Sequence, residues 1–524
     1  MSTLAAGRPL AGTGALLRFA LRRDRVLIPV WIAVDALMVL SMPNTLKGLY
    51  ATDAERASLR AQMAGNASLR ALTGPVLDDS LGALTAWRVG VYAGLLAAVM
   101  SLLIVIRHTR DEEESGRLEV VASGMVGRRA PLTSALLAAG AANTVLALLL
   151  TAGLASLGAS GALALGLAVG GVGLVFASAA AVAAQLTQSA RLARGLTAAL
   201  LGAAFVLRAA GDSGSSWLTW ASPLGWLEKV RAFAGERWWV LGLLVLACLS
   251  QGVVAYVLAG RRDLGMSFLP TRPGPARGRL TGAGALALRL QRGSLLGWSI
   301  GFFLAGVVYG GLTDGATDLV RDNSATRQVL ERMGGRSGVT DTFLSAMIGM
   351  LGLVAALYVV SAVLRLSTEE SSGRAEPVLA GAVSRLRWAG SHLLIAFGGA
   401  GCLMLLAGLG FWAGYGHRPG AIVGACLLQV PAAWTVGAVT VLLHGFLPRA
   451  APAGWAVAGA VLLIGWVGPA LDAPRWMLDL SPYTHLPKLP GAEMQWGPVG
   501  LLLAAAVLLT GAGLVGLRRR DMAG

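Results

Sequence analysis

The chain has 524 residues, of which 55% are hydrophobic and 13% charged, and its formal net charge is +16. A soluble protein of ordinary composition carries about a quarter of its residues as charges, and length alone would divide such a chain into about three or four soluble domains. The 61 residues between Arg129 and Arg191 contain no Asp, Glu, Lys or Arg, enough for two membrane spans of about 20 residues each. That excludes an ordinary soluble protein and points to an all-α integral membrane fold.

Taken in chain order, residues 1–25 are Arg-rich, with no early apolar core and no small-residue cleavage site. The first span then serves as its own uncleaved membrane signal. Residues 15–25 (ALLRFALRRDR) mix apolar and basic side chains, as do 285–292 (ALALRLQR), so each can lie in the membrane interface ahead of a span or form an ordinary positive flank. Charge-poor stretches place twelve spans near 26–43, 84–106, 132–156, 161–185, 196–210, 239–259, 294–312, 343–364, 390–411, 419–443, 454–470 and 498–517. These are too long for barrel strands, and lipid leaves no other way to satisfy the backbone. The stretch 196–210 is short, because Arg208 and Asp212 close it early.

Within the spans, Asp35 is the one carboxylate. With Arg88 at the start of the next span it forms a possible intramembrane polar site, as a functional group, an ion pair or a boundary residue. Trp217, Trp220, Trp226, Trp238 and Trp239 surround Ser222-Pro223, a composition suited to the membrane interface. Gly166 with Gly170, Gly297 with Gly301, and Gly306 with Gly310 are spaced for close helix packing.

Cys248, Cys402 and Cys426 sit in apolar segments without disulfide or metal spacing, and the five histidines are scattered. The lysines, Lys47, Lys229 and Lys488, fit no GxxxxGK[ST] pattern, so this chain is not expected to hydrolyse ATP itself. No catalytic or metal set is read from it.

Charge sorts by loop. The N-terminus, 107–130, 186–195, 260–292, 365–388, 444–453 and the C-terminus hold 27 Lys+Arg against 11 Asp+Glu, while the opposite side holds 16 against 16. The positive side is expected to be cytoplasmic, with both termini on it. The basic excess is then an orientation signal that calls for no nucleic-acid partner.

The chain also repeats. EEESGRLEVVASG at 112–124 and EESSGRAEPVLAG at 369–381 share eight of thirteen positions at an offset of 257, each after the second span of its half. Ser222-Pro223 echoes Ser481-Pro482, and Arg261-Arg262-Asp263 echoes Arg519-Arg520-Asp521. We expect residues 1–262 and 286–524 to form two parallel six-span repeats about a pseudo-twofold axis along the membrane normal, joined by a cytoplasmic linker at 263–285. Acidic groups retained in both loops, on an otherwise positive face, point to a docked protein.

The EExxGRxE element in each half, together with twelve spans in two repeats, resembles the fused permease subunits of ABC-2-type exporters. It looks most like the actinobacterial polyketide-antibiotic (tetronasin-type) exporters. The resemblance implies two copies of a separate ABC ATP-binding subunit below the membrane, which supply ATP and Mg, so that this chain holds no cofactor of its own. It implies that Glu112, Glu113, Gly116, Arg117 and Glu119 form one coupling loop and Glu369, Glu370, Gly373, Arg374 and Glu376 the other. Ser371 and Pro377 depart from the first copy. The implied setting is the bacterial cytoplasmic membrane, with lipid around the chain and hydrophobic or amphiphilic cargo, antibiotics included, expelled. The rival readings are a twelve-span secondary transporter driven by an ion gradient and a membrane scaffold. One candidate intramembrane acid and a long acidic-basic loop favour the exporter.

Overall fold

The computed structural model describes residues 9–65, 70, 73–118, 126–214, 216–262, 266–269, 282–321, 338–466 and 474–521. Among them, twelve helices are long and apolar enough to cross a membrane. We number these α1 (Leu27–Leu49), α2 (Leu81–Arg107), α3 (Ala130–Leu154), α4 (Ala159–Leu186), α5 (Ala190–Ser213), α6 (Trp239–Arg261), α7 (Ala283–Arg321), α8 (Val339–Ser371), α9 (Arg385–Tyr415), α10 (Pro419–Leu427 continued by Val430–Phe446), α11 (the 3-10 turns Pro448–Ala453 continued by Gly454–Trp466) and α12 (Trp496–Arg519). The chain divides into two compact units, Met1–Pro273 and Gly274–Gly524. Most of the expected linker, 263–265 and 270–281, lies outside the described residues.

The first unit is built around α4, whose Ala, Gly and Val surface is buried almost throughout. Small residues let neighbouring backbones approach closely, which is how helices associate where the hydrophobic effect between them is weak. A Cβ added at Gly166 would lie 2.5 Å from the Ala147 carbonyl oxygen of α3, and one at Gly170 would lie 3.1 Å from that of Asn143. Asn143 is buried and donates to Ser101 Oγ at 2.8 Å, joining α3 to α2. On the outer faces of α1 and α6, Val30, Val34, Leu37, Leu246, Leu249 and Val253 are exposed, the apolar surface that lipid would cover.

In the second unit, α7 and α9 cross through glycines on both helices. A Cβ at Gly306 would overlap the Ala407 carbonyl, and one at Gly410 would overlap that of Phe303. Gly297 and Gly301, by contrast, face open space. Among the described residues their spacing meets no neighbouring helix.

Two local expectations change. The fifth span begins at Ala190 and runs to Ser213, because Arg208 and Asp212 are neutralised inside the unit and do not end the helix. The two pre-span segments also differ from one another. Thr13–Arg23 is a separate helix, broken from α1 where buried Asp24 accepts from His108 Nε2 at 2.7 Å and pairs with Arg107 at 3.2 Å. The segment 285–292 is continuous with α7.

Candidate functional site

Each repeated loop starts as a tight turn at the end of a long helix. After α2, the chain enters a short helix, Arg110–Glu114, and turns at Gly116, whose N–H donates to the Glu113 carbonyl at 3.0 Å. After α8, Gly373 N–H donates to the Glu370 carbonyl at 3.0 Å. The φ angles are 72° at Gly116 and 69° at Gly373, left-handed values that glycine adopts without a steric penalty. The same residues, 257 positions apart, make the same turn.

The acidic side chains do not simply face solvent. Glu113 receives a two-armed ion pair from Arg262, just beyond α6, at 2.5 Å and 2.9 Å, and also pairs with buried Arg110. Arg262 Nε donates to Gln185 at the end of α4, at 2.5 Å. In the second unit, Arg520, just beyond α12, grips Glu370 at 2.5 Å and 2.7 Å, and His444 of α10 lies 3.4 Å from the same carboxylate. Such forked pairs fix direction as well as distance. They tie each loop to the last helix of its own unit.

The neighbouring acids are engaged as well. Glu112 pairs with Arg23 of the pre-span helix and with Arg117 at 2.8 Å. Asp111 pairs with Arg194 of α5, and Glu114 accepts from the Ala190 N–H at 3.0 Å. Glu369 pairs with Arg365 at 2.6 Å and lies 3.9 Å from Arg374. What projects outward is a thinner rim: Glu114, Ser115 and Arg117 in the first unit, and Ser371, Ser372, Arg374, Glu376 and Pro377 in the second. Glu119 lies outside the described residues.

The intramembrane pair is not formed. Asp35 is buried on α1 and, among the described residues, neither carboxylate oxygen has a hydrogen-bond partner. The Arg88 guanidinium instead lies 5.8 Å from the centre of the Trp87 ring. An unpartnered carboxyl inside a membrane protein is costly whether neutral or charged. Asp35→Leu is therefore expected to raise unfolding stability by about 1–3 kcal/mol, read by thermal unfolding of the purified chain. A fall in stability would show that Asp35 has a partner in the membrane.

A second buried network escaped the sequence reading. Arg208, wholly buried on α5, pairs with Glu228 at 2.9 Å and lies 3.5 Å from Asp212. Glu228 belongs to a short helix, Pro223–Lys229, ahead of α6. Burial drives the Glu228 carboxyl well above its usual range, against the pull of Arg208. The i,i+4 spacing of Arg208 and Asp212 was the available signal. Around this hairpin Trp220 stacks on Trp239 at 5.5 Å, while Trp217 and Trp238 are exposed, as interface residues are.

These features define a polytopic α-helical membrane protein with two matched loops, each anchored to the end of its own helical unit. Residues 280–518 match the family described as the multidrug efflux system permease Rv1217c, C-terminal domain. The chain is 41% identical over 533 aligned residues to the multidrug efflux system permease protein Rv1217c of Mycobacterium tuberculosis, an alignment covering 98% of this chain and 96% of that protein. It belongs to that family of efflux permeases.

Proposed function

We propose that this chain is the membrane subunit of an ATP-driven exporter that expels hydrophobic or amphiphilic compounds, antibiotics among them, from the bacterial cytoplasm. The observation that carries the reading is the pair of loops: identical turns at Gly116 and Gly373, each tied by an Arg–Glu fork to the end of a helical unit. Two copies of a separate ABC ATP-binding subunit dock on the rims of these loops and bind ATP and Mg. The termini and the loops share the cytoplasmic side. The similarity to a multidrug efflux permease over nearly the full chain supports the cargo class.

The geometry gives this coupling a mechanical form. A load on the Gly116 turn passes through Glu113 and Arg262 to α6 and, through Gln185, to α4. A load on the Gly373 turn passes through Glu370 and Arg520 to α12. Short charge-assisted bonds in a poorly solvated setting resist separation, so loop and helix move together.

The test uses the outward residues, since reversing the buried acids would unfold the anchor. Arg117→Glu combined with Arg374→Glu changes side chains that are 54% and 57% exposed. Co-purification with the ATP-binding subunit is expected to weaken at least tenfold, while unfolding stability of the chain alone falls by no more than about 1–2 kcal/mol, the loss of two exposed pairs. Unchanged association would sink the docking assignment. Export that persists without any ATP-binding subunit would sink the ATP-driven reading and favour an ion-gradient transporter.

A further inference from the structure

The second unit contains a cavity of about 540 Å³, within the usual range of small-molecule sites. It lies between residues 345–353 of α8, the end of α11 and the segment 475–489 ahead of α12. Its wall along α8 runs from Ser345 to Leu353, about 12 Å at the rise of an α-helix. Met350, Leu353 and Trp466 supply an apolar body, and the Gln429 amide adds a polar point on the wall. Tyr483 donates to the Gly352 carbonyl at 2.6 Å and is buried, which fixes the segment ahead of α12 against α8.

Two cations line the same cavity, Arg475 and Lys488. Among the described residues its lining contains no acid and neither cation makes an ion pair. Burial lowers the pKa of the Lys488 ammonium, which marks a charge short of solvent and short of a counter-ion. In the first unit, by contrast, the cation buried ahead of α6, Arg208, already has Glu228. The void there is about 40 Å³.

We infer that this cavity binds an amphiphile with one anionic head group, its charge held by Arg475 and Lys488 and its apolar tail lying along Met350, Leu353 and Trp466. A carboxylate, sulfonate or phosphodiester head meets the charge requirement equally, so the ligand is either a membrane lipid or an exported compound. The assignment to exported cargo rests on the efflux reading; binding itself does not.

The test is made on the full chain in nanodiscs of zwitterionic lipid, with dansylated undecanoic acid as probe and energy transfer from tryptophan as readout. The acid is expected to bind at least tenfold more tightly than its uncharged methyl ester. Arg475→Gln with Lys488→Gln removes that preference, while Lys488→Arg keeps it, which separates lost charge from lost folding. Equal affinity for acid and ester, or a double variant that binds as the parent does, overturns the proposal.

Source is read in two further arms. Displacement of the probe by phosphatidylglycerol in the disc, with cellular efflux unchanged in the double variant, assigns the site to lipid. Loss of efflux together with probe binding assigns it to cargo. A parent chain that binds the acid yet exports no compound overturns the efflux reading and leaves the site standing.

Discussion

Arg262→Ala lowers the stability of the folded chain by about 3–5 kcal/mol, the usual consequence of removing one partner from a buried ion pair. Glu113 is left 7% exposed, still facing Arg110 but stripped of the fork from Arg262. Arg520→Ala does the same to Glu370, whose side chain is 4% exposed. Arg262→Lys recovers part of the loss, since an ammonium is a point charge and lacks the planar fork that spans both carboxylate oxygens. Unfolding in detergent, followed by circular dichroism, reads these differences directly. Arg262→Met with Glu113→Leu and Arg110→Met is the informative control, because replacing the whole buried charge cluster by apolar side chains of similar volume often restores stability and leaves neither arginine facing a lost carboxylate. In the proposed mechanism that triple variant folds and still binds the ATP-binding subunit, but its transport falls because the loop no longer drags α6. Full transport by that variant would show that the fork is a fold anchor without a coupling role.

The second large effect is steric. Gly306→Val or Gly410→Val places branched carbons where the neighbouring backbone carbonyls of Ala407 and Phe303 already sit. Backbone atoms give way far less readily than the end of a flexible side chain. Overpacking costs about 1–3 kcal/mol for a few extra carbons in a relaxing core, and more is expected here because α7 and α9 must separate along the crossing. Gly297→Ala and Gly301→Ala have the opposite sign. Both positions face open space, so alanine gains about 0.8–1.0 kcal/mol of helix propensity. Expression yield and thermal unfolding of the four variants compare packing against propensity, with Gly297, Gly301 and Gly306 doing so on the single helix α7. Equal losses at all four positions would refute the packing account.

The membrane class, the twelve spans and the paired loops were legible because they rest on local chemistry. A run of 61 residues without a charge has few stable settings outside a bilayer, and each span carries that signal within its own length. The Gly in EExxGRxE was visible as a repeated residue, but its left-handed turn, a conformation that favours glycine, came from the structure. The Arg261-Arg262 and Arg519-Arg520 echo was visible, but its meaning was not. Arg262 and Glu113 are 149 positions apart, and Arg520 and Glu370 are 150. No period or spacing rule reaches that far.

The same limit separates the glycine pairs. Three GxxxG spacings looked alike in the sequence, yet Gly166–Gly170 and Gly306–Gly310 meet a neighbouring backbone while Gly297–Gly301 meets none. It also explains Arg208 and Asp212, read as the end of a span until Glu228 and Thr219 supplied their partners.

Composition and hydropathy alone therefore determined that this chain is a helical membrane protein with a strongly positive set of loops, because solvent preference is a property of each segment by itself. Tertiary structure decided which charges are struts and which remain outward. The energy of a charge depends on its neighbours and on its distance from water, and both are set only when distant helices pack.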